Sequence, residues 1–102
     1  MGVDVRWENE NGSPIEEIPD PQMCISHAVL NTDLAGTTCL RFIDPYGDTT
    51  FNRLQIPVLI GELKSALEKV RDNEIKDHLR RVIDLAEKSR DKVHTHLKFY
   101  GD

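Results

Sequence analysis

A chain of 102 residues has room for one hydrophobic core and not for two. Its 38% hydrophobic and 30% charged residues predict a small core under a heavily solvated surface, and the periodic placing of the apolar residues excludes a disordered chain. The formal net charge of −5 comes without any basic block able to neutralise phosphates, which sets nucleic-acid binding aside.

The charge is unevenly distributed. Residues 1–20 hold Asp4, Glu8, Glu10, Glu16, Glu17 and Asp20 against Arg6 alone, while the remaining twelve acids and twelve bases cancel. Such an acidic block fits a basic protein partner as well as plain solubility. Met1-Gly2-Val3-Asp4 lacks the basic start and apolar run of a secretory signal, and Arg6 breaks the Gly2 myristoylation pattern. No apolar run reaches bilayer-spanning length. The expectation is a cytoplasmic protein with no membrane partner, in which Cys24 and Cys39 are reduced and act as small core residues. A disulfide between them would need the strands that carry them to lie side by side.

In chain order, Val3, Val5 and Trp7 alternate with Asp4, Arg6 and Glu8, the period of a strand with one buried face. From Asn9 to Pro21 the pairs Asn-Gly, Ser-Pro, Ile-Pro and Asp-Pro break regular structure, so residues 1–22 read as a strand followed by an acidic irregular loop with Glu16, Glu17 and Asp20 solvated. An Asn11-Gly12 hairpin is disfavoured by the poor strand formers after it. Met23 to Leu30 is a short apolar run whose periodicity fits strand or buried helix; it is read as a strand beside the strand-like Thr37 to Ile43. Residues 23–52 thus form strands, with a hairpin turn at 44–48. A helix over 55–71 carries Ile56, Leu59, Ile60, Leu63, Leu67 and Val70 as its apolar stripe, with Pro57 in the first turn. Asp72 is the capping candidate for a second helix over 74–97, lined by Ile75, Leu79, Val82, Ile83, Ala86, Val93 and Leu97, with a stripe that weakens near Ser89. Leu97 to Tyr100 reads equally as a short strand or a fixed tail.

The densest run of informative residues is Arg41 to Gln55. Asp44-Pro45-Tyr46-Gly47 has the residues of a type I turn, and Asn52 with Gln55 has capping-box spacing. These backbone tasks leave Tyr46, Asp48 and Arg53 unexplained, and they are the predicted binding residues, Tyr and Arg being the usual interface anchors. Paired Asp44 and Asp48 could hold a metal or divide acid and base roles, but a turn tip is wet and no histidine is near in sequence. His94 and His96 fall about 200° apart on a helix, and His78 lies on the polar side of the second helix. Neither His78 nor His27 has a Cys, His or carboxylate at ligand spacing. No catalytic residue, metal site or cofactor is expected.

Leu40 to Asn52, Leu-Arg-Phe-Ile-Asp-Pro-Tyr-Gly-Asp-Thr-Thr-Phe-Asn, resembles the core of a group of small uncharacterised bacterial proteins with a Phe-Ile-Asp-Pro-Tyr-Gly-Asp-Thr pattern. The resemblance implies a bacterial cytoplasmic protein and carries no activity with it. The sequence therefore predicts an α+β domain: an antiparallel sheet of three to four strands, followed by two antiparallel helices packed on one face. The function expected is non-catalytic binding of another protein, as in a small acidic inhibitor or immunity-type protein that masks a basic toxin or nuclease. The rivals are a small enzyme or metal-binding protein using Asp44 and Asp48, and a homo-oligomer associating through the C-terminal helix.

Overall fold

The alternation of Val3, Val5 and Trp7 with polar residues does produce the first strand. In the structure, a computed structural model that describes residues 2–101, β1 covers Asp4–Asn9 and β2 covers Pro14–Ile18. β3 (Asp48–Phe51), α1 (Ile56–Lys69), α2 (Asn73–Ser89) and β4 (Thr95–Tyr100) follow. The strands form one antiparallel sheet in the order β2-β1-β4-β3, and the two helices pack on it as an α+β fold. Among the described residues no helix is long and apolar enough to cross a membrane.

The first and last strands lie side by side at the centre. Val5 pairs with Phe99 and Trp7 with Leu97, and Phe51 of β3 completes this row against Leu97. Val5, Phe51, Leu97 and Phe99 are fully buried, and the rings of Phe51 and Phe99 meet edge-on at 5.6 Å. The apolar stripes of α1 (Ile56, Leu59, Ile60, Leu63) and α2 (Leu79, Val82, Ile83, Leu85, Ala86) close the other side of the core. The apolar face of α2 is buried within the fold, and its opposite side is charged along its length. Asp72 caps α2 by accepting from the amides of Glu74 and Ile75. The Asn52–Gln55 box forms reciprocally, Asn52 N donating to Gln55 Oε1 and Gln55 N to Asn52 Oδ1.

Four local expectations are corrected. The Asn11-Gly12 hairpin exists: Gly12, at φ 89°, donates to Asn9 O, and the poor strand formers that follow are tolerated because β2 is an edge strand. Residues 24–30 are helical rather than a strand, closing on a π turn in which Asn31 N donates to Ser26 O. Residues 37–43 are not a strand either; their only regular piece is the 3-10 turn Leu40–Phe42. Their amides are taken by a side chain instead of a ladder, since the Glu62 carboxylate of α1 accepts from Thr38 N, Cys39 N and Leu40 N at 2.6–3.0 Å. Lastly, α2 stops at Ser89, and the chain turns through His94 at φ 61° into β4. Val93 and Leu97 fit a helical stripe, but Thr95, Leu97 and Phe99 also keep a strand's period of two, and pairing with β1 decides for the strand.

Both thiols are free and buried. Replacing the Glu62 carboxylate leaves three amides without their acceptor. Glu62→Ala is expected to lower the unfolding free energy by about 2 kcal/mol and to raise amide hydrogen exchange at residues 38–40, while α2 stays protected. Unchanged exchange there would show that the carboxylate does not hold this segment.

Candidate functional site

Asp44 and its neighbours do form the predicted turn. Gly47 N donates to Asp44 O at 3.4 Å and Tyr46 N to Asp44 Oδ1 at 2.8 Å. The turn is not the tip of a hairpin, because β3 pairs with β4 and the segment before the turn is not a strand. It buttresses the end of β4 instead: Gly101 N donates to Gly47 O at 2.7 Å, and a side chain at Gly101 would collide with the Asp44 carbonyl oxygen. Tyr46 projects from this turn at 79% exposure. Asp48 opens β3 and pairs with Lys98 at 3.7 Å, while Arg53 is exposed in the turn leading into α1. Among the described residues no hydrogen bond or ion pair joins Tyr46, Asp48 and Arg53 to one another, and none joins Asp44 to Asp48.

The same stretch of chain exposes apolar side chains. Phe42, Leu54 and Val58 are 61%, 72% and 45% exposed. Leu54 lies in the turn that leads into α1, and Val58 in the first turn of that helix. The turn bearing Phe42 is held beside the start of α1, with Cys39 Sγ 3.7 Å from Gln55 O. Val58 also borders an open groove of about 600 Å³ between α1 and residues 28–40, whose walls include Leu34, Leu40, Pro57 and Ala66. Arg41 lies over the Phe42 ring at 4.9 Å.

Two clusters escaped sequence reasoning. On the outer face of the sheet, Glu8 is 1% exposed beneath Tyr100 and His96. The Tyr100 hydroxyl donates to Glu8 Oε2, and His96 Nε2 lies 3.1 Å from Oε1. Arg6 pairs with Glu17 and Lys98 with Asp48, and both cations stand over the Tyr100 ring, at 4.6 and 4.8 Å. The row thus crosses all four strands, with Arg6 and Lys98 each paired to a carboxylate. Burial pushes the Glu8 carboxyl up, but hydrogen bonds from Tyr100 and His96 and the charge of Lys98 outweigh it and hold it below its ordinary value. Burial, the bond to Glu8 and the charge of Glu8 raise the Tyr100 phenol. The only signal in the sequence was the matched alternation of Arg6, Glu8 and of His96, Lys98, Tyr100, which acquires meaning once β1 and β4 are known to pair.

The second cluster joins Asp20, Cys24 and His78, all buried, where Asp20 and His78 were both expected in solvent. Asp20 accepts from Val3 N, Cys24 N and Ile25 N, so it caps the 24–30 helix and ties it to the start of β1. His78 Nε2 is 3.7 Å from Asp20 Oδ1, and Arg81 Nη2 is 3.5 Å from His78 Nδ1. Burial, joined by the charges of Asp20, Asp72 and Glu74, raises the Cys24 thiol, and burial lowers the His78 imidazole despite Asp20. A thiol so protonated is a poor nucleophile. Cys39 is likewise raised, by burial and by Glu62.

No protein-family model, curated protein or solved structure matches the chain, so function rests on the site itself.

The Glu8–Tyr100 pair sets a pH window. A carboxyl depressed on folding stabilises above its ordinary value of 4.5 and loses that contribution as pH falls through the folded value. A phenol raised on folding stabilises below its ordinary value of 10.0 and loses that contribution as pH climbs. Glu8→Gln is expected to cost about 1–3 kcal/mol at pH 7, with its difference from wild type shrinking in acid below pH 4.5. A difference that stays constant between pH 7 and pH 3, by chemical denaturation, would show that folding does not lower the Glu8 carboxyl.

Proposed function

We propose that the protein is a non-catalytic protein-binding domain that docks through the surface of residues 42–58. The observation that carries this reading is the concentration there of exposed large side chains, Phe42, Tyr46, Leu54 and Val58, edged by Arg41 and Arg53. Exposed large apolar side chains are a common mark of interaction sites on small domains. Exposed Tyr and Arg are the residue types that most often anchor interfaces.

The net charge of −5 suits an inhibitor or immunity-type role toward a basic toxin or nuclease. The first twenty residues are not the docking surface in this reading, because their acids bond within the fold. Asp4 accepts from Asp20 N, Glu8 from Tyr100, and Asp20 from three amides. Glu10 meets His94, Glu16 meets Lys88 and Glu17 meets Arg6. A catalytic role for Asp44 and Asp48 has less support, since one carboxylate holds its own turn and the other faces Lys98.

The test begins with immobilised protein, a retained partner identified by mass spectrometry, and binding of that purified partner measured by calorimetry. Tyr46→Ala combined with Arg53→Ala is expected to weaken binding at least about thirtyfold, the roughly 2 kcal/mol of a hot spot, while stability stays within about 0.5 kcal/mol of wild type. Undiminished affinity in the double variant would sink the assignment of this surface.

A further inference from the structure

Helix capping accounts for Asp20 but not for what stands beside it. Asp20, Cys24 and His78 each offer one ligand atom, and these atoms all lie within 4.8 Å of one another. His78 is 3% exposed, and its Nε2 has no hydrogen-bond partner. An unpartnered buried nitrogen is costly and asks for an occupant.

We propose that Asp20, Cys24 and His78 bind one zinc-class divalent ion, whose fourth position opens onto the cleft of about 460 Å³ that they line together with Gln22, Glu74, Asp77 and Arg81. Carboxylate oxygen, thiolate sulfur and imidazole nitrogen are the donors zinc takes, and three protein ligands with one open position is a common coordination for it. Ligands bonded at about 2.0–2.1 Å around a tetrahedral ion stand about 3.3 Å apart. The observed 3.7 Å from His78 Nε2 to Asp20 Oδ1 needs a closure of only a few tenths of an ångström.

The supporting shell is in place. Three backbone amides hold the Asp20 carboxylate, and Oδ1, which accepts from Cys24 N, keeps a second lone pair for a metal. Asp20 and Cys24 are anchored at the entry to the 24–30 helix, and His78 by the packing of α2. A divalent ion is neutralised by the Asp20 carboxylate and the Cys24 thiolate, the thiol proton passing to water on binding. The geometry does not suit a cysteine nucleophile, which would need the imidazole to take the thiol proton on the nitrogen opposite Asp20. That nitrogen, Nδ1, faces Arg81. With a metal on Nε2, Nδ1 becomes a donor and the exposed Arg81 side chain swings toward solvent. The ion would staple the start of β1, through Asp20, to α2.

The experiment titrates the reduced, metal-free chain with Co2+ and follows absorption and melting. Expected are a thiolate-to-cobalt charge-transfer band saturating at one ion per chain, its bleaching by Zn2+, and a rise in Tm with metal concentration. Cys24→Ser, nearly isosteric and therefore folded, should lose the band and bind Zn2+ at least about tenfold more weakly, whereas Cys39→Ser should keep both. His78→Gln should also lose the band. A wild-type chain without a charge-transfer band, or a band that survives Cys24→Ser, overturns the proposal.

Discussion

The pairing of β1 with β4 is the constraint on which the remaining structure depends. It joins segments about ninety residues apart, Asp4 opposite Tyr100 through to Asn9 opposite Thr95. The register sorts the side chains: Val5, Trp7, Leu97 and Phe99 face the helices, while Arg6, Glu8, His96 and Lys98 face away. A slip of β4 by one residue against β1 would turn Leu97 and Phe99 outward and place His96 and Lys98 against the core. Arg6 directly opposite Lys98 is a like-charge pair that would oppose this register. Glu17 and Asp48 on the outer strands, and the Tyr100 ring beneath both cations, reverse that effect.

A second theme is the use of carboxylates as backbone acceptors. The connection between β2 and β3 makes little regular structure, yet its buried amides require partners. Asp20 supplies them at one end and Glu62 at the other, each accepting from three amides. Hydrogen bonds to an ionised group are stronger than those between neutral groups, which lets two side chains stand in for a ladder. Part of the acidity of the chain, Asp20 and Glu62, is this internal scaffolding, and so gives less information about a partner than its net charge suggests.

These two constraints also divide the surface. Where acids are bound up in the sheet and the loop, the exterior is matched in charge and offers little to recognise. The stretch from Phe42 to Val58 instead exposes Phe42, Tyr46, Leu54 and Val58. Buried at the opposite extreme are Asp20, Cys24 and His78, where one side chain has a structural task and the His78 nitrogen has none.

The α+β class, α1, the Asp72 cap, the Asn52–Gln55 box and the Asp44–Gly47 turn were legible in the sequence because each depends on neighbours within a turn or two. The same holds for the exposure of Tyr46 and Arg53, which local backbone tasks leave unexplained. Tertiary structure alone decided whether residues 23–30 and 37–43 were strands, since a short apolar run is compatible with either state until its amides find an acceptor. It decided that Val93 to Tyr100 continues as β4 and not as α2, because only β1 distinguishes the two periods. And it alone brought Asp20 to His78 and Glu8 to Tyr100, separations of 58 and 92 residues: polar groups read singly look solvated, and their burial follows from what the folded chain places on top of them.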